Sequence, residues 1–229
     1  MPIPAATLGA DTPTRTTGEI TLHHQTFIGR DILLNVPLFW CVIECPLFMN
    51  IKGRWQLFFG EQVPIAYLLR PQNADRWFRI HSLPESKRYP ENEAEMRDVL
   101  RRHDLIASEV LGENAECGLF FPEHSLRKLL PILSCVASAT LFHHYENAED
   151  GADITQMATQ VVWQARQFDP LLRLVANDEI RYVSWINLES GEVFAPYDGG
   201  ADLFLSSTQR RDDLRAHYVD WLSRHPEGV

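Results

Sequence analysis

The sequence predicts an α+β fold in which helices pack on a mostly antiparallel sheet. Three observations lead to this prediction. Short apolar segments with alternating residues recur along the chain, turn residues separate many of them, and a few longer segments have the period of an amphipathic helix. Strands that follow one another through tight turns pair antiparallel, so we expect the helices to dock on one sheet.

The first part of the chain is predicted to consist mainly of strands. Its segments are rich in aromatic and β-branched residues, and Pro46 and the Lys52-Gly53 turn interrupt them. Residues 65–69 fit either a strand or a short helix. The predicted strands are 19–28, 36–51, 55–59 and 77–83.

The strongest helix signal lies between Asn92 and Gly112. Asn92 can cap the first turn, with Glu95 three residues later as in a capping box, and Gly112 is a typical stop. The apolar face of this helix is marked by residues at helical spacing: Met96, Val99, Leu100, His103, Ala107 and Val110.

The rest of the chain is predicted to mix strands with three more helices. A short helix spans 123–130, a longer one spans 153–168 and is ended by Pro170, and Ser206 with Gln209 caps the last. The predicted strands are 116–121, 139–145, 171–176, 181–187, 193–195 and 201–205, with hairpin turns at 189–192 and 198–200.

Length and composition predict one globular domain. The chain has 229 residues, of which 45% are hydrophobic and 23% are charged, which is ordinary for a globular protein with a sizeable core. Residues 1–18 are rich in Pro, Thr and Ala without an apolar period, so we predict a disordered tail. Residues 19–229 then form a single α+β domain, and a boundary between two lobes near 146–152 is the alternative.

Charge and hydropathy exclude several classes of partner. The formal net charge of −10 argues against nucleic acid, because phosphate contacts need a concentrated positive field. Residues 1–18 lack the features of a secretory signal, and the apolar stretch 32–51 carries polar residues and prolines that would be costly in lipid. We therefore expect no membrane association and a cytoplasmic location. Four cysteines in apolar surroundings also suit a reducing compartment.

A cationic loop stands out in this acidic chain. Arg79, His81, Lys87 and Arg88, with Arg76 just before them, form a cluster that can converge on a phosphate or carboxylate, with Ser82 and Ser86 as hydroxyl donors. Alternatively, the arginines at 76 and 79 face solvent, and the cations at 87 and 88 pair with glutamates at 91, 93 or 95. Both interpretations remain open from the sequence.

A second candidate site is the turn Tyr197-Asp-Gly-Gly-Ala-Asp202. Asp198 and Asp202 can act as general acid and base or as ligands, with the glycines letting backbone approach a bound molecule. The alternative is a tight turn whose glycines take positive φ and whose Asp198 side chain caps turn amides.

No motif of a known catalytic or cofactor site is present. The sequence has no GxSxG, P-loop, GxGxxG, HExxH or CxxC pattern. The pairs His23-His24 and His143-His144 point to opposite faces of a strand, so each offers at most one ligand to a metal. We therefore predict no catalytic residues, no metal and no cofactor.

Two segments carry a resemblance to a known group of proteins. They are Arg79-Ile-His-Ser-Leu-Pro-Glu-Ser-Lys-Arg-Tyr-Pro90, and Ala195-Pro-Tyr-Asp-Gly-Gly-Ala-Asp-Leu-Phe204 followed by Asp220-Trp-Leu-Ser-Arg-His-Pro-Glu-Gly228. Residues 39–229 resemble an uncharacterised family of soluble bacterial proteins that includes members similar to cytoplasmic immunity proteins encoded beside secreted toxins. The resemblance implies a non-enzymatic bacterial protein and supplies no active site.

Two functional hypotheses follow. In the first, the protein is an immunity-type binding protein, and an acidic face formed by Asp198, Asp202, Asp212 and Asp213 blocks the cleft of a basic toxin. In the second, it is an enzyme or binder of a small anionic ligand. That hypothesis requires the loop containing Arg79, His81, Lys87 and Arg88 to share a cleft with the Asp198 turn.

Overall fold

A seven-stranded sheet forms the centre of the described protein. The computed structural model describes residues 50–147 and 151–222. Every pair of neighbouring strands is antiparallel, in the order β1-β7-β6-β5-β2-β4-β3, so the predicted fold class is confirmed. The strands are β1 (Trp77–His81), β2 (Glu116–Pro122), β3 (Thr140–Asn147), β4 (Ala152–Val162), β5 (Ser184–Asn187), β6 (Val193–Tyr197) and β7 (Gly200–Phe204).

Helices pack on the sheet. None of the helices in the described ranges combines the length and apolar character needed to cross a bilayer. Short 3-10 turns, such as Pro84–Ser86 and Val219–Trp221, complete the connections. The helices are α1 (Ile51–Phe59), α2 (Ala66–Leu69), α3 (Glu93–Leu111), α4 (Leu126–Leu129), α5 (Asp169–Ala176) and α6 (Thr208–His217).

Two hydrophobic cores lie against the sheet. Neighbouring residues of a strand point to opposite faces, and in β2 Phe121 belongs to the larger core while Phe120 belongs to the smaller one. The larger core includes the buried face of α3 with Trp163 and Trp185. The smaller core lies under α1. The interior strand β2 is therefore apolar along nearly its whole length, because it is buried on both sides.

Helix α3 confirms the strongest sequence signal. The Asn92 side chain accepts hydrogen bonds from the Ala94 and Glu95 amides, and the helix ends before Gly112, as predicted. Glu95 reaches one residue further back than a capping box requires and accepts from the Glu91 amide at 2.7 Å. All six predicted core positions of this helix are buried.

The predicted helix at 153–168 is wrong, because residues 152–162 form strand β4. Apolar residues at 154, 157, 161 and 165 fit a helical period, and Asp153 with Gln156 imitates a cap. The segment also has a period of two, which places Ile154, Gln156 and Ala158 among its buried residues. β-Branched residues, which favour strands, are frequent here. The segment forms a strand because it pairs with β2 on one side and with β3 on the other.

Two predicted strands are helices. Residues 171–176 belong to α5, because Pro170 sits in the first turn of a helix, where its missing N–H costs nothing, rather than after the end of one. Residues 55–59 belong to α1, which Asn50 caps by accepting from the Gly53 amide. Trp55 and Phe59 are four residues apart and therefore share the buried face of this helix.

The other described segments agree with the sequence apart from their ends. Residues 65–69, which fitted either type, contain α2. The cap of α6 is Ser207, one residue later than predicted, and it accepts from the Arg210 amide. The predicted tail, the strand at 19–28 and residues 36–49 of the strand predicted at 36–51 lie outside the described residues. The rest of that strand and the predicted Lys52-Gly53 turn are wrong, because Asn50 caps α1 and Ile51 begins it. β3 and β4 pair with each other across the segment 146–152.

Candidate functional site

The two segments singled out in the sequence meet at the β1 edge of the sheet. β1 pairs with β7, so that Arg79 lies opposite Asp202 and His81 lies opposite Gly200. The residues joined in this way are more than a hundred positions apart in the chain. The loop after β1 therefore runs beside the β6–β7 hairpin, and the Ser82 amide donates to the Gly199 carbonyl at 3.0 Å.

The β6–β7 hairpin contains two glycines, and the structure requires one of them because the backbones of β1 and β7 come close together, not because of an unusual φ. A Cβ on Gly200 would lie 1.9 Å from the Ile80 carbonyl oxygen, so only glycine fits at this position. Neither Gly199 nor Gly200 has a φ in the left-handed region, which corrects the predicted positive-φ turn. The backbones of β1 and β7 can approach only because residue 200 has no side chain.

Asp202 holds Arg79 in a bidentate ion pair. Arg79 donates Nε to Oδ1 at 2.9 Å and Nη2 to Oδ2 at 3.0 Å, and Trp77 donates its indole N–H to Oδ1. Asp202 is 3% exposed. The Arg79 guanidinium also lies 4.6 Å from the centre of the Tyr197 ring, whose burial raises the pKa of that hydroxyl to about 12. Arg79 is therefore not the solvent-facing residue that one interpretation predicted.

Asp198 holds Arg88 in the same way. Arg88 donates Nε to Oδ2 at 2.6 Å and Nη2 to Oδ1 at 3.1 Å. Asp198 is buried, whereas Arg88 is exposed. The carboxylate therefore binds the loop instead of capping its own turn. The alternative interpretation paired Lys87 and Arg88 with nearby glutamates, and only Lys87 forms such pairs. Its Nζ lies 3.1 Å from Glu91 and 2.8 Å from Glu95.

His81, unlike Arg79, Lys87 and Arg88, has no carboxylate partner and lines a pocket beside β1. We call this the β1 pocket, and its volume is about 320 Å³. Burial, followed by the charge of Arg79, lowers the pKa of the imidazole. Nε2 is buried and makes no hydrogen bond within the described part of the chain. The lining residues are His81, Leu83, Glu85, Ser86, Asp220, Trp221 and Leu222.

A second pocket adjoins the β6–β7 turn, where Tyr197 and Asp198 line it. We call it the hairpin pocket, and its volume is about 230 Å³. Two ion pairs line it, Arg88 with Asp198 and Arg181 with Asp178; the latter two are joined at 2.6 and 2.5 Å. Asp178 and Tyr182 have φ values of 58° and 60°, a conformation that non-glycine residues rarely adopt. The lining residues are Arg88, Asp178, Ile180, Arg181, Tyr182, Tyr197 and Asp198.

The four aspartates predicted to form an acidic face divide into two groups. Asp198 and Asp202 are buried and hold arginines of their own chain. Asp212 and Asp213 lie on α6 and are exposed. Asp212 accepts from Arg211 at 2.7 Å and Asp213 accepts from Gln209 at 2.8 Å. Only this second pair is available to another protein without a rearrangement.

A buried Ser–His pair was not recognised in the sequence as a pair. The Ser82 hydroxyl and His103 Nε2 lie 2.8 Å apart, the arrangement of an activated nucleophile. Both residues are 0% exposed, and burial lowers the pKa of His103 to about 4. A substrate cannot reach the hydroxyl. The pair instead joins the loop after β1 to α3, and the helical spacing of His103 had already indicated a core position.

A second unrecognised pair consists of two carboxyl groups. Burial, together with nearby Asp169, raises the pKa of Asp104 to about 6, although the Arg166 amide donates to Asp104 at 3.0 Å. Such a pair carries no sequence signal, because the two residues belong to α3 and α5. Within the described ranges, no group of three or more His, Cys, Asp or Glu residues is placed to bind a metal ion.

Comparison with known proteins adds a family without a known function. A family model described as a domain of unknown function (DUF3885) matches residues 65–226. Neither the curated proteins nor the solved structures contain a significant match. The matched range includes all seven strands and every residue that lines the two pockets.

Proposed function

This chain belongs to the DUF3885 family, a domain of unknown function, so the family supplies no activity. We propose that the protein is a non-enzymatic binding protein of the bacterial immunity type. Its partner is a basic protein toxin in the cytoplasm. The protein neutralises this toxin by covering its cleft sterically and by complementary charge. The resemblance carried by the loop after β1 and by the hairpin motif is one reason for this choice.

The observation that carries the proposal is the internal pairing of the loop cations. Arg79, Lys87 and Arg88 are all held by carboxylates of the same chain. An anionic ligand at these side chains would have to displace a carboxylate that is already in bidentate or close contact. The net charge of −10 means that negative charge remains after these internal pairs are counted, and a partner with a basic surface is complementary to it.

Helix α6 is the part of the acidic face that can meet this partner directly. Arg210 fixes the helix to α3, with Nη1 at 3.1 Å from Glu109 and Nη2 donating to the Glu109 carbonyl at 2.8 Å. Asp212 and Asp213 are thus presented on a rigid element. Their hydrogen bonds to Arg211 and Gln209 are exposed and weak enough to exchange for contacts with a partner. Asp198 and Asp202 support the neighbouring hairpin from inside.

A growth-protection assay tests this proposal. The protein is co-expressed with the product of the gene next to its own, and growth is compared for the wild type, the double variant Asp212→Lys/Asp213→Lys, and the control Glu123→Lys/Glu146→Lys. The control makes the same charge change at exposed residues away from α6. We expect the wild type and control to restore growth and the α6 variant to fail.

Two results would contradict the proposal at different levels. If the α6 variant protects as well as the wild type, α6 is not the binding face. If the wild type neither protects cells nor binds the purified neighbouring product at low salt, the immunity function itself is wrong.

A second candidate function is supported by the hairpin pocket. Its two ion pairs present both signs of charge around one cavity, which fits a small zwitterion better than a simple anion, because an anion would leave Asp178 and Asp198 uncompensated. Of the residues predicted for an anionic ligand, only Arg88 and Asp198 line this pocket. A free amino acid is the simplest ligand of this type.

A thermal-shift screen tests this second candidate. We expect at least one free amino acid to raise the Tm of the wild type, while acetate and ammonium at the same concentration do not. The variant Arg181→Met should abolish the increase. An equal response to acetate would indicate a general anion effect and would rule out the zwitterion site.

A further inference from the structure

The β1 pocket has acidic walls. Glu85 and Asp220 contribute two carboxylates, and no arginine or lysine occurs among the described residues that line it. Trp221 adds an aromatic ring, while Leu83 and Leu222 add apolar surface. A pocket with this lining differs from both predicted sites, because its charges are not neutralised by cations on its own wall.

We infer that the β1 pocket receives one basic side chain, an arginine or a lysine, from the protein partner. This inference rests on the proposed function and names the contact that the basic partner makes. The carboxylates of Glu85 and Asp220, which line the pocket, attract the cationic head. Leu83 and Leu222 contact the aliphatic stem, which long basic side chains bury readily.

The basic groups nearest the β1 pocket put no positive charge on its wall. Burial lowers the pKa of His81, so its ring is neutral near pH 7 and adds no positive charge to the wall. Arg102 lies outside the lining, where its Nη1 donates to the His81 carbonyl at 3.1 Å. Its guanidinium stands 4.9 Å from the centre of the Trp221 ring. The Trp221 ring is thus already paired with a guanidinium of the protein itself and lies 4.7 Å from the Tyr218 ring, so it adds apolar surface to the pocket rather than a cation site.

The rim of the pocket is held in an unusual backbone conformation. Glu85 and Ser86 are consecutive non-glycine residues with φ values of 56° and 57°. Such residues cost on the order of 1 kcal/mol each and concentrate at binding sites, where the surrounding structure fixes them. Here the Lys87 amide donates to the Pro84 carbonyl at 3.1 Å, and the Lys87 side chain is anchored to Glu95. The backbone that carries Glu85 is thus fixed before a ligand arrives.

The size of the pocket also fits a single side chain. Pockets for small molecules range from about 300 to 1,000 Å³, and the β1 pocket, at about 320 Å³, lies at the lower end. A large cofactor does not fit, whereas one extended side chain from a docked protein does.

Binding of a single capped amino acid tests the inference without the partner. The probe is N-acetyl-L-arginine methylamide, and N-acetyl-L-norleucine methylamide is its uncharged equivalent. Both are titrated into the full-length protein, and chemical shifts of the Trp221 indole and of residues around His81 are followed by NMR. We expect the arginine probe to bind at least fivefold more tightly than the norleucine probe, with a Kd in the millimolar range.

Matched variants locate the contact. Asp220→Asn and Glu85→Gln should each weaken binding of the arginine probe about threefold to fivefold, the effect of one exposed ion pair. Glu123→Gln, an exposed residue elsewhere, should leave the Kd unchanged. Equal affinity for the two probes, or an unchanged Kd in both carboxylate variants, would overturn the inference.

The outcome is separable from that of the growth assay. If the arginine probe shows no preference while the wild type still protects cells, the β1 pocket is not the contact, and the immunity function stands. If the probe binds as expected while the wild type does not protect, the preference of the pocket for a basic side chain stands, and the immunity function falls.

Discussion

Gly200 shows how one residue joins the two segments that form the candidate sites. A Cβ at this position would meet the Ile80 carbonyl oxygen at 1.9 Å, and this atom belongs to the backbone of β1, which cannot turn away. At Gly199 the nearest atoms are side-chain atoms of Tyr197 at 3.0 Å and of Arg88 at 3.4 Å, which can shift. The two adjacent glycines therefore differ in how far they tolerate a methyl group.

We predict that Gly200→Ala lowers the free energy of unfolding by about 3 kcal/mol, because the β1–β7 ladder must separate to admit the methyl group. Gly199→Ala, the matched control, should cost less than half as much. Urea denaturation of both variants measures the difference. Equal losses would show that the contact with β1 does not set the requirement for glycine.

Asp104 gives a pH-dependent prediction at the same scale. Burial, with Asp169 nearby, raises its pKa in the folded protein from 3.8 to about 6. Between these values the folded state binds more protons than the unfolded state, so the stability of the wild type should fall as pH rises from about 4 to about 6. Asp104 is only half-buried, so we expect a contribution of about 1 kcal/mol after discounting for solvent screening.

The variant Asp104→Asn removes this titration and keeps an oxygen that can accept from the Arg166 amide. Its free energy of unfolding, measured in urea at pH 4.5 and pH 7, should exceed that of the wild type at pH 7 and approach it at pH 4.5. Parallel pH profiles for the two proteins would exclude Asp104 as the titrating group.

At the scale of elements, α3 depends on its N-terminal cap. Asn92 accepts from two amides of the first turn, both at 3.0 Å. We predict that Asn92→Ala lowers the free energy of unfolding by about 1 kcal/mol, whereas Asn92→Asp, which keeps the acceptor, changes it little. Urea denaturation of the two variants tests this. A similar loss in both would mean that the contribution of Asn92 lies in its amide N–H groups.

The elements that could be predicted from the sequence are those with signals at both ends and one clear period. α3 has a cap, a stop and a regular apolar face, and β2 is short and continuously apolar. In β4 and α5 the end signals and the apolar period do not point to one type of element. The apolar residues of β4 fit both periods, and tertiary pairing with β2 and β3 decides between them. Pro170 is compatible with the start of a helix as well as the end of one, and its position alone does not distinguish the two.

The candidate site was predictable only in part, because it depends on register. The cationic loop and the diglycine turn both stand out in the sequence, and their encounter was one of the two hypotheses. The pairing of β1 with β7 decides that Asp202 holds Arg79, which it faces across 123 positions of sequence. No local pattern encodes that register. Trp221 and Asp220 reach the β1 pocket through tertiary structure alone.

At the scale of the whole molecule, two cores share one sheet. Phe120 and Phe121 are adjacent in β2, are both 0% exposed, and belong to the smaller and the larger core respectively. Removing either side chain therefore weakens a different face of the same strands. Because the hydrogen-bonded ladder is common to both faces, loss of one core should destabilise the other.

We predict that Phe120→Ala and Phe121→Ala each lower the free energy of unfolding by about 3–5 kcal/mol without creating a second transition. The indole N–H signals of Trp55, in the smaller core, and Trp185, in the larger core, report the two faces separately in NMR spectra recorded through a urea titration. In each variant both signals should disappear at the same urea concentration, and the wild type provides the reference midpoint. If Phe120→Ala shifts the midpoint of Trp55 alone, the two faces unfold independently, and the described part of the chain behaves as two units rather than one.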